Sequence, residues 1–347
     1  MSKILIIRFS ALGDVAMTIP VIHSLATQYP MHEITVLSTS SLKSLFTHLP
    51  KNVRFIGADL KGIHKGINGL LRLYNELKKY QFDFVADFHN VLRSNFLRFL
   101  FKLNGVKTAK IDKGRDEKKK LARKIDKKLV QLDTSFVRYQ KVLEKLGFVF
   151  ELQFVSLLNN TQQLTQEVPG YEKNDDLKWI GIAPFAKHKG KIYPMHLQEI
   201  VIAHFTKDSR VKLFIFGGGK AENEIIENWM QKYGNIHSLV GKMDMSQELV
   251  LMSQLDVMLS MDSANMHLAS LVATPVVSIW GATHPFAGFM GWNQSGNNAI
   301  QLDMACRPCS IYGQIPCFRE DYACMNNISP TSIIEKIESI IHNKSAR

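Results

Sequence analysis

Lys3-Ile4-Leu5-Ile6-Ile7-Arg8, followed by the turn Ser10-Ala11-Leu12-Gly13-Asp14 and a helical pattern from Val15 to Tyr29, decides the fold. A short apolar run, a glycine turn and a helix open a doubly wound α/β domain, because a strand buried on both faces must be apolar throughout. Working outward, Ile34 to Leu37, Val53 to Ile56 and Phe82 to Ala86 read as further buried strands. Helical stretches at Leu70 to Tyr80 and Ser94 to Leu103 separate them. The alternation predicts a parallel sheet covered on both faces.

The basic stretch Lys107 to Lys128 and a helix predicted over Val130 to Leu146 close this half. A polar stretch from Asn159 to Lys178, holding Pro169-Gly170, reads as a linker. A second alternating series follows. Its strands are expected at Trp179 to Ala183, Lys212 to Phe216, Ile236 to Leu239, Val257 to Ser260 and Val276 to Ile279, with helices at 195–206, 221–233, 246–254 and 264–272. The chain of 347 residues suits two domains of roughly 150 residues better than one core. Two such sheets facing each other are expected to present their strand ends at one cleft.

Composition narrows the function. With 43 Lys and Arg against 31 Asp and Glu, a formal +12, anionic partners are favoured. The N-terminus lacks the basic flank and long apolar stretch of a signal peptide, and no segment offers the ~20 apolar residues that span a bilayer. The expectation is a cytoplasmic protein, at most peripheral on the inner membrane. No G-x-G-x-x-G follows the first strand, which disfavours nicotinamide and flavin enzymes. Gly217-Gly218-Gly219 is as consistent with a tight turn as with a phosphate cradle.

Asp14 has two readings. It is a capping acid in the first helical turn, or a general base that takes the proton of an attacking hydroxyl. The second constellation is Asp262-Ser263-Ala264-Asn265-Met266-His267, between a strand and a helix. Helix-start amides from Ser263 to Asn265 lack intrahelical partners and suit a pyrophosphate. His267, a turn further on, is either a structural histidine or a reach toward the same phosphates. Cys306, Cys309, Cys317 and Cys324 supply a tetrahedral zinc set, or stand as reduced thiols.

The opening Ile6 to Val15, the segment Asp262 to Ala269 and the run Pro275-Val-Val-Ser-Ile-Trp-Gly-Ala-Thr283 resemble the lipopolysaccharide heptosyltransferases, glycosyltransferase family nine. The resemblance spans nearly the whole chain. It implies the GT-B architecture of two Rossmann-like domains, inversion at the anomeric carbon, and no cofactor or metal for catalysis. It implies an ADP-heptose-like nucleotide-sugar donor and a lipid-linked acidic acceptor, the lipopolysaccharide inner core. Residues 1–165 would then form the acceptor-binding domain and 166–347 the donor-binding domain, with the last helix, 330–343, a candidate to pack back on the first. By the same resemblance Asp14 is the catalytic base. Lys191 meets the donor phosphates, with Lys187 and Lys189 nearby, and Glu222 (or Glu224) follows the glycine turn. Met243 offers a backbone contact to the base, and Asp262, Ser263, Ala264, Asn265 and His267 complete the donor side. Ala264 departs from the family's glycine, which puts in doubt any positive φ needed there. Ser10, Gly13 and Arg93, with Arg115 and Lys120 of the basic segment, are the acceptor-side candidates. That segment reads equally as a solvated helix face.

Two rival functions remain at this point. A nucleotide-sugar epimerase on the same architecture would act on the donor alone. A nucleic-acid-binding protein would use the +12 charge, although no basic motif interleaved with aromatics supports it.

Overall fold

The computed structural model describes residues 1–158, 170–174 and 176–345. Most of the expected linker, residues 159–169 and 175, lies outside them. The chain divides into two compact units, Met1–Gly114 with Asp133–Leu157, and Arg115–Leu132 with Leu158–Arg347. The expected boundary near residue 165 lies outside the described residues, and the basic stretch after Gly114 groups with the second unit.

The first unit holds a five-stranded parallel sheet of β1 (Lys3–Ile7), β2 (Glu33–Thr39), β3 (Val53–Ala58), β4 (Phe84–Asp87) and β5 (Lys107–Lys110), in the order β3-β2-β1-β4-β5. Central β1 is buried from Ile4 to Ile7, which is why its sequence is a continuous apolar run. Leu5, Ile7, Leu37 and Val85 share a core with Leu70, Leu73, Leu77, Leu97 and Phe101 of two covering helices. Each such side chain contributes about 1.5–3 kcal/mol of burial. β5 has no counterpart in the expected strands: Lys-Thr-Ala-Lys is a charged edge strand with one buried residue. The helix expected from Val15 to Tyr29 is broken into Leu12–Ala16 and Ile19–Gln28. Pro20 sits in the first turn of the second piece, where its missing N–H costs nothing, and it could not have continued the first.

The second unit holds a six-stranded parallel sheet of β6 (Lys178–Ala183), β7 (Val211–Ile215), β8 (Ile236–Ser238), β9 (Val257–Met261), β10 (Val276–Ile279) and β11 (Ala299–Ile300), in the order β11-β10-β9-β6-β7-β8. The helix Pro330–Ser345 packs in this unit's own core, with Ile333 and Ile337 fully buried and contacts to Met195–Phe205, β9 and β10. Its buried isoleucines thus complete the core of the second unit.

Each sheet is doubly wound, the chain running outward from its first strand to one edge and then returning to build the other. The order reverses between β1 and β4 in the first unit and between β6 and β9 in the second. In open parallel sheets, ligands bind beyond the carboxyl ends of the strands at that reversal.

Candidate active site

The carboxyl ends of β1 and β4 carry Arg8 to Asp14 and His89 to Arg93. Arg8 is buried, and its Nη2 lies 2.6 Å from Asp14 Oδ2. Its Nη1 donates to Phe88 O at 2.9 Å, and the guanidinium lies 6.0 Å from the Tyr139 ring centre. Asp14 Oδ2 also accepts from the Ala11 N–H at 3.3 Å, a one-way cap from the third helical residue, since Ala11 has no side-chain acceptor to return the bond. Both readings of Asp14 thus have a physical basis. Oδ2 caps and pairs, while the side chain keeps 35% of its surface exposed. Ser10 is exposed beside it, and Gly13 sits inside the short helix without a positive φ. Arg93 is exposed at the start of the helix Leu92–Leu103.

Fully buried Asp87 shapes the β4 loop. Its Oδ1 accepts the N–H groups of His89 at 2.9 Å and Asn90 at 2.8 Å. His89 Nδ1 accepts from the Phe9 N–H at 3.3 Å, which leaves the ring proton of the neutral imidazole on Nε2. Burial, then the Arg8 and Lys113 charges, push His89 down to about 3, with Asp14 opposing. His89 is therefore a neutral hydrogen-bond donor in the surroundings of Asp14. The sequence gives it no role, although a histidine just past the Asp87 strand end was the available signal.

In the second unit every donor-side candidate follows the carboxyl end of a parallel strand, so these residues lie along one sheet edge. Lys191 follows β6, Glu222 follows β7, Met243 follows β8, and Asp262 to His267 follow β9. Lys191 and Asp262 flank the strand-order reversal and meet there, Nζ to Oδ2 at 2.9 Å, with 16% and 6% of their side chains exposed. Ser263 is the cap of the helix Ala264–Leu271 but makes no capping bond. Its Oγ instead pairs with Ser260 Oγ at 3.2 Å. The first-turn amides of Ala264 and Asn265 are left without a side-chain cap, beside an ammonium group, an arrangement suited to an anion. Ala264 adopts no positive φ, so alanine in place of glycine carries no backbone strain. His267 is buried one turn further along.

Glu222 Oε2 accepts from the Gly218 N–H at 2.7 Å, folding the glycine turn back on the helix that it opens. Met243 lines a cavity of about 400 Å³ with Lys212, His237, Lys242 and Gln247.

The basic segment differs most from expectation. Arg115 and Lys120 are exposed, but Lys118 is buried with its Nζ 4.3 Å from the Phe289 ring centre. Lys124 lies 4.6 Å over Phe318, and Lys127 Nζ donates to Ala305 O and Pro308 O at 3.1 Å. Leu121 and Leu132 bury against Ala287. Three of the segment's basic side chains, Lys118, Lys124 and Lys127, thus act as a strap on the second unit's own surface.

The four cysteines are free thiols, and among the described residues no group of three or more His, Cys, Asp or Glu side chains is arranged to hold a metal ion. Burial pushes Cys309 up, and Cys324 up to about 11, which keeps that sulfur protonated at neutral pH.

Residues 70–315 match the sequence pattern of the family described as glycosyltransferase family 9 (heptosyltransferase). Lipooligosaccharide heptosyltransferase 2 of Campylobacter jejuni is 23% identical over 95% of this chain and 96% of its own. A lipopolysaccharide core heptosyltransferase of Haemophilus influenzae is 26% identical over 81% of this chain and 79% of its own. The solved ADP-heptose lipopolysaccharide heptosyltransferase II of E. coli shares the fold, with a TM-score of 0.71 over 99% of both chains at 17% identity.

Proposed function

Since the chain belongs to glycosyltransferase family 9, the heptosyltransferases, we propose that it moves a heptose from ADP-heptose to the inner core of a lipopolysaccharide. The observation that carries the donor half is the Lys191–Asp262 pair beside the uncapped helix start at the reversal of the second sheet. An ammonium group has three donors, so Lys191 can keep Asp262 and still bond a phosphate oxygen.

The reaction is a single displacement with inversion. The acceptor hydroxyl oxygen attacks the anomeric carbon, the bond from that carbon to the diphosphate oxygen breaks, and ADP departs. Asp14 takes the hydroxyl proton. Lys191 and the amides of Ser263, Ala264 and Asn265 stabilise the charge developing on the leaving diphosphate, with His267 one turn behind. Glu222 contacts the donor through the oxygen that Gly218 does not use, and Met243 contacts the base. Ser10, Gly13 and Arg93 meet the acceptor around Asp14, while Arg115 and Lys120 offer exposed charge to its acidic groups. Catalysis needs no cofactor or metal ion, and the cysteines serve as thiols. Among the described residues no helix is long and apolar enough to cross a membrane. A lipid-linked acceptor would bring a cytoplasmic enzyme to the inner-membrane surface. Family membership supports a transferase over an epimerase or a nucleic-acid-binding protein.

Thermal unfolding against ADP, UDP and GDP tests the donor assignment. A nucleotide at a hundred times its Kd stabilises the fold by about 2.7 kcal/mol. ADP should raise the melting temperature most; a larger rise with UDP or GDP contradicts the reading.

A further inference from the structure

The segment between β11 and the last helix carries, besides the cysteines, a fully engaged arginine. We propose that Arg307 is the positioning residue of the donor-phosphate site, fixing the loop Trp280–Thr283 and through it the turn that carries Lys191. The inference rests on the reading that Lys191 meets the donor diphosphate.

Arg307 is 3% exposed. Its Nε donates to Gly281 O at 2.5 Å, and its Nη2 to Trp280 O at 3.1 Å, Thr283 O at 2.9 Å and Gln301 Oε1 at 3.0 Å; Nη1 donates to Leu302 O. Three of these acceptors are carbonyls of the single loop that leaves β10. None is a carboxylate, so the buried charge is answered by oriented dipoles, and burial accordingly pushes Arg307 down. A planar fork with several fixed donors suits this task, and an ammonium group does not.

The loop passes its position on. The Ala282 N–H donates to Gly190 O at 2.8 Å, one residue before Lys191, while Ala282 O accepts the N–H groups of Cys309 and Ser310 at 3.0 and 3.1 Å. The approach is close enough that a Cβ on Gly190 would lie 2.7 Å from Ala282 Cβ. On the other side, a Cβ on Gly313 would lie 2.5 Å from Lys191 Cδ. The Lys191 stem is therefore held between its own turn and the segment that Arg307 anchors. Its ammonium group is held on Asp262 at 2.9 Å, which is preorganisation of a binding group by its surroundings.

The test is a double-mutant cycle read as ADP affinity by calorimetry, on full-length wild type, R307K, K191M and the double variant. R307K keeps the charge and loses the fork. We expect it to weaken ADP by on the order of ten- to a hundredfold, the effect of misplacing a binding group. In the K191M background the same change should cost less than about twofold, because Arg307 acts through the missing lysine. A merely structural arginine would give losses that multiply. ADP affinity unchanged in R307K, or independent losses, overturns the proposal. Unchanged affinity in K191M overturns the Lys191 reading and the proposal together, and so separates the two failures. Should R307K not fold, Gln301→Leu removes one acceptor and keeps the buried charge. It should weaken ADP by about two- to tenfold, again only when Lys191 is present; no loss, or an equal loss without Lys191, refutes the proposal.

Discussion

Replacing Asp14 by asparagine isolates proton transfer from everything else that this side chain does. The amide keeps the shape and an oxygen for the Ala11 N–H and the Arg8 guanidinium, which Asp14 Oδ2 engages at 3.3 and 2.6 Å. It cannot accept the hydroxyl proton. A positioned base contributes about 10²- to 10⁴-fold, so the barrier should rise by about 3–5 kcal/mol. The lost ion pair is a separate and smaller matter. With the carboxylate 35% exposed, solvent screening limits the stability cost to about 1 kcal/mol. The donor-side residues belong to the other unit, so ADP affinity should be unchanged. Steady-state ADP release at saturating donor and acceptor gives kcat, calorimetry gives ADP affinity, and urea unfolding gives stability. A kcat within threefold of wild type, or an ADP affinity that falls in step with kcat, refutes Asp14 as the base.

Two further outcomes concern the second unit. Lys118→Ala should cost about 1–3 kcal/mol in urea unfolding, since it removes a buried stem and a cation stacked on Phe289. Exposed Lys120→Ala should stay within about 0.5 kcal/mol, and equal effects would refute the strap. His284 is held neutral down to about 4, against 6.5 when unfolded, by burial and then by the Arg307 and Lys127 charges. The unfolded chain binds a proton that the fold refuses in that window, so the contribution is complete above pH 6.5 and is lost as pH falls toward 4. Its slope is about 1.4 kcal/mol per pH unit. His284→Asn keeps an acceptor for the Phe286 N–H and should flatten the acid limb by that slope; an unchanged limb contradicts the assignment.

The sheets were legible because their central strands are buried on both faces and must read as apolar runs, as β1 and β9 do. The Asp14 turn and the Asp262 helix start were legible for the related reason that doubly wound sheets put chemistry at strand ends. Edge strand β5 was not, because its lysines face solvent and leave one apolar position. Nor was the strap. Lys118 and Arg115 have the same local pattern, and only contact with Phe289, 171 residues later, buries one and not the other. His89 and Arg307 act through backbone atoms brought near by tertiary packing, Phe9 N in one case and the Trp280–Thr283 carbonyls in the other. Such partners leave no trace in side-chain spacing.

The most direct measurement mixes purified protein with ADP-heptose and a lipopolysaccharide inner-core acceptor, following ADP release and acceptor mass together. One heptose should appear on the acceptor for each ADP, with only slow ADP release from donor alone. Conversion of the nucleotide sugar without acceptor, or ADP release that leaves the acceptor unchanged, would contradict glycosyl transfer by this protein.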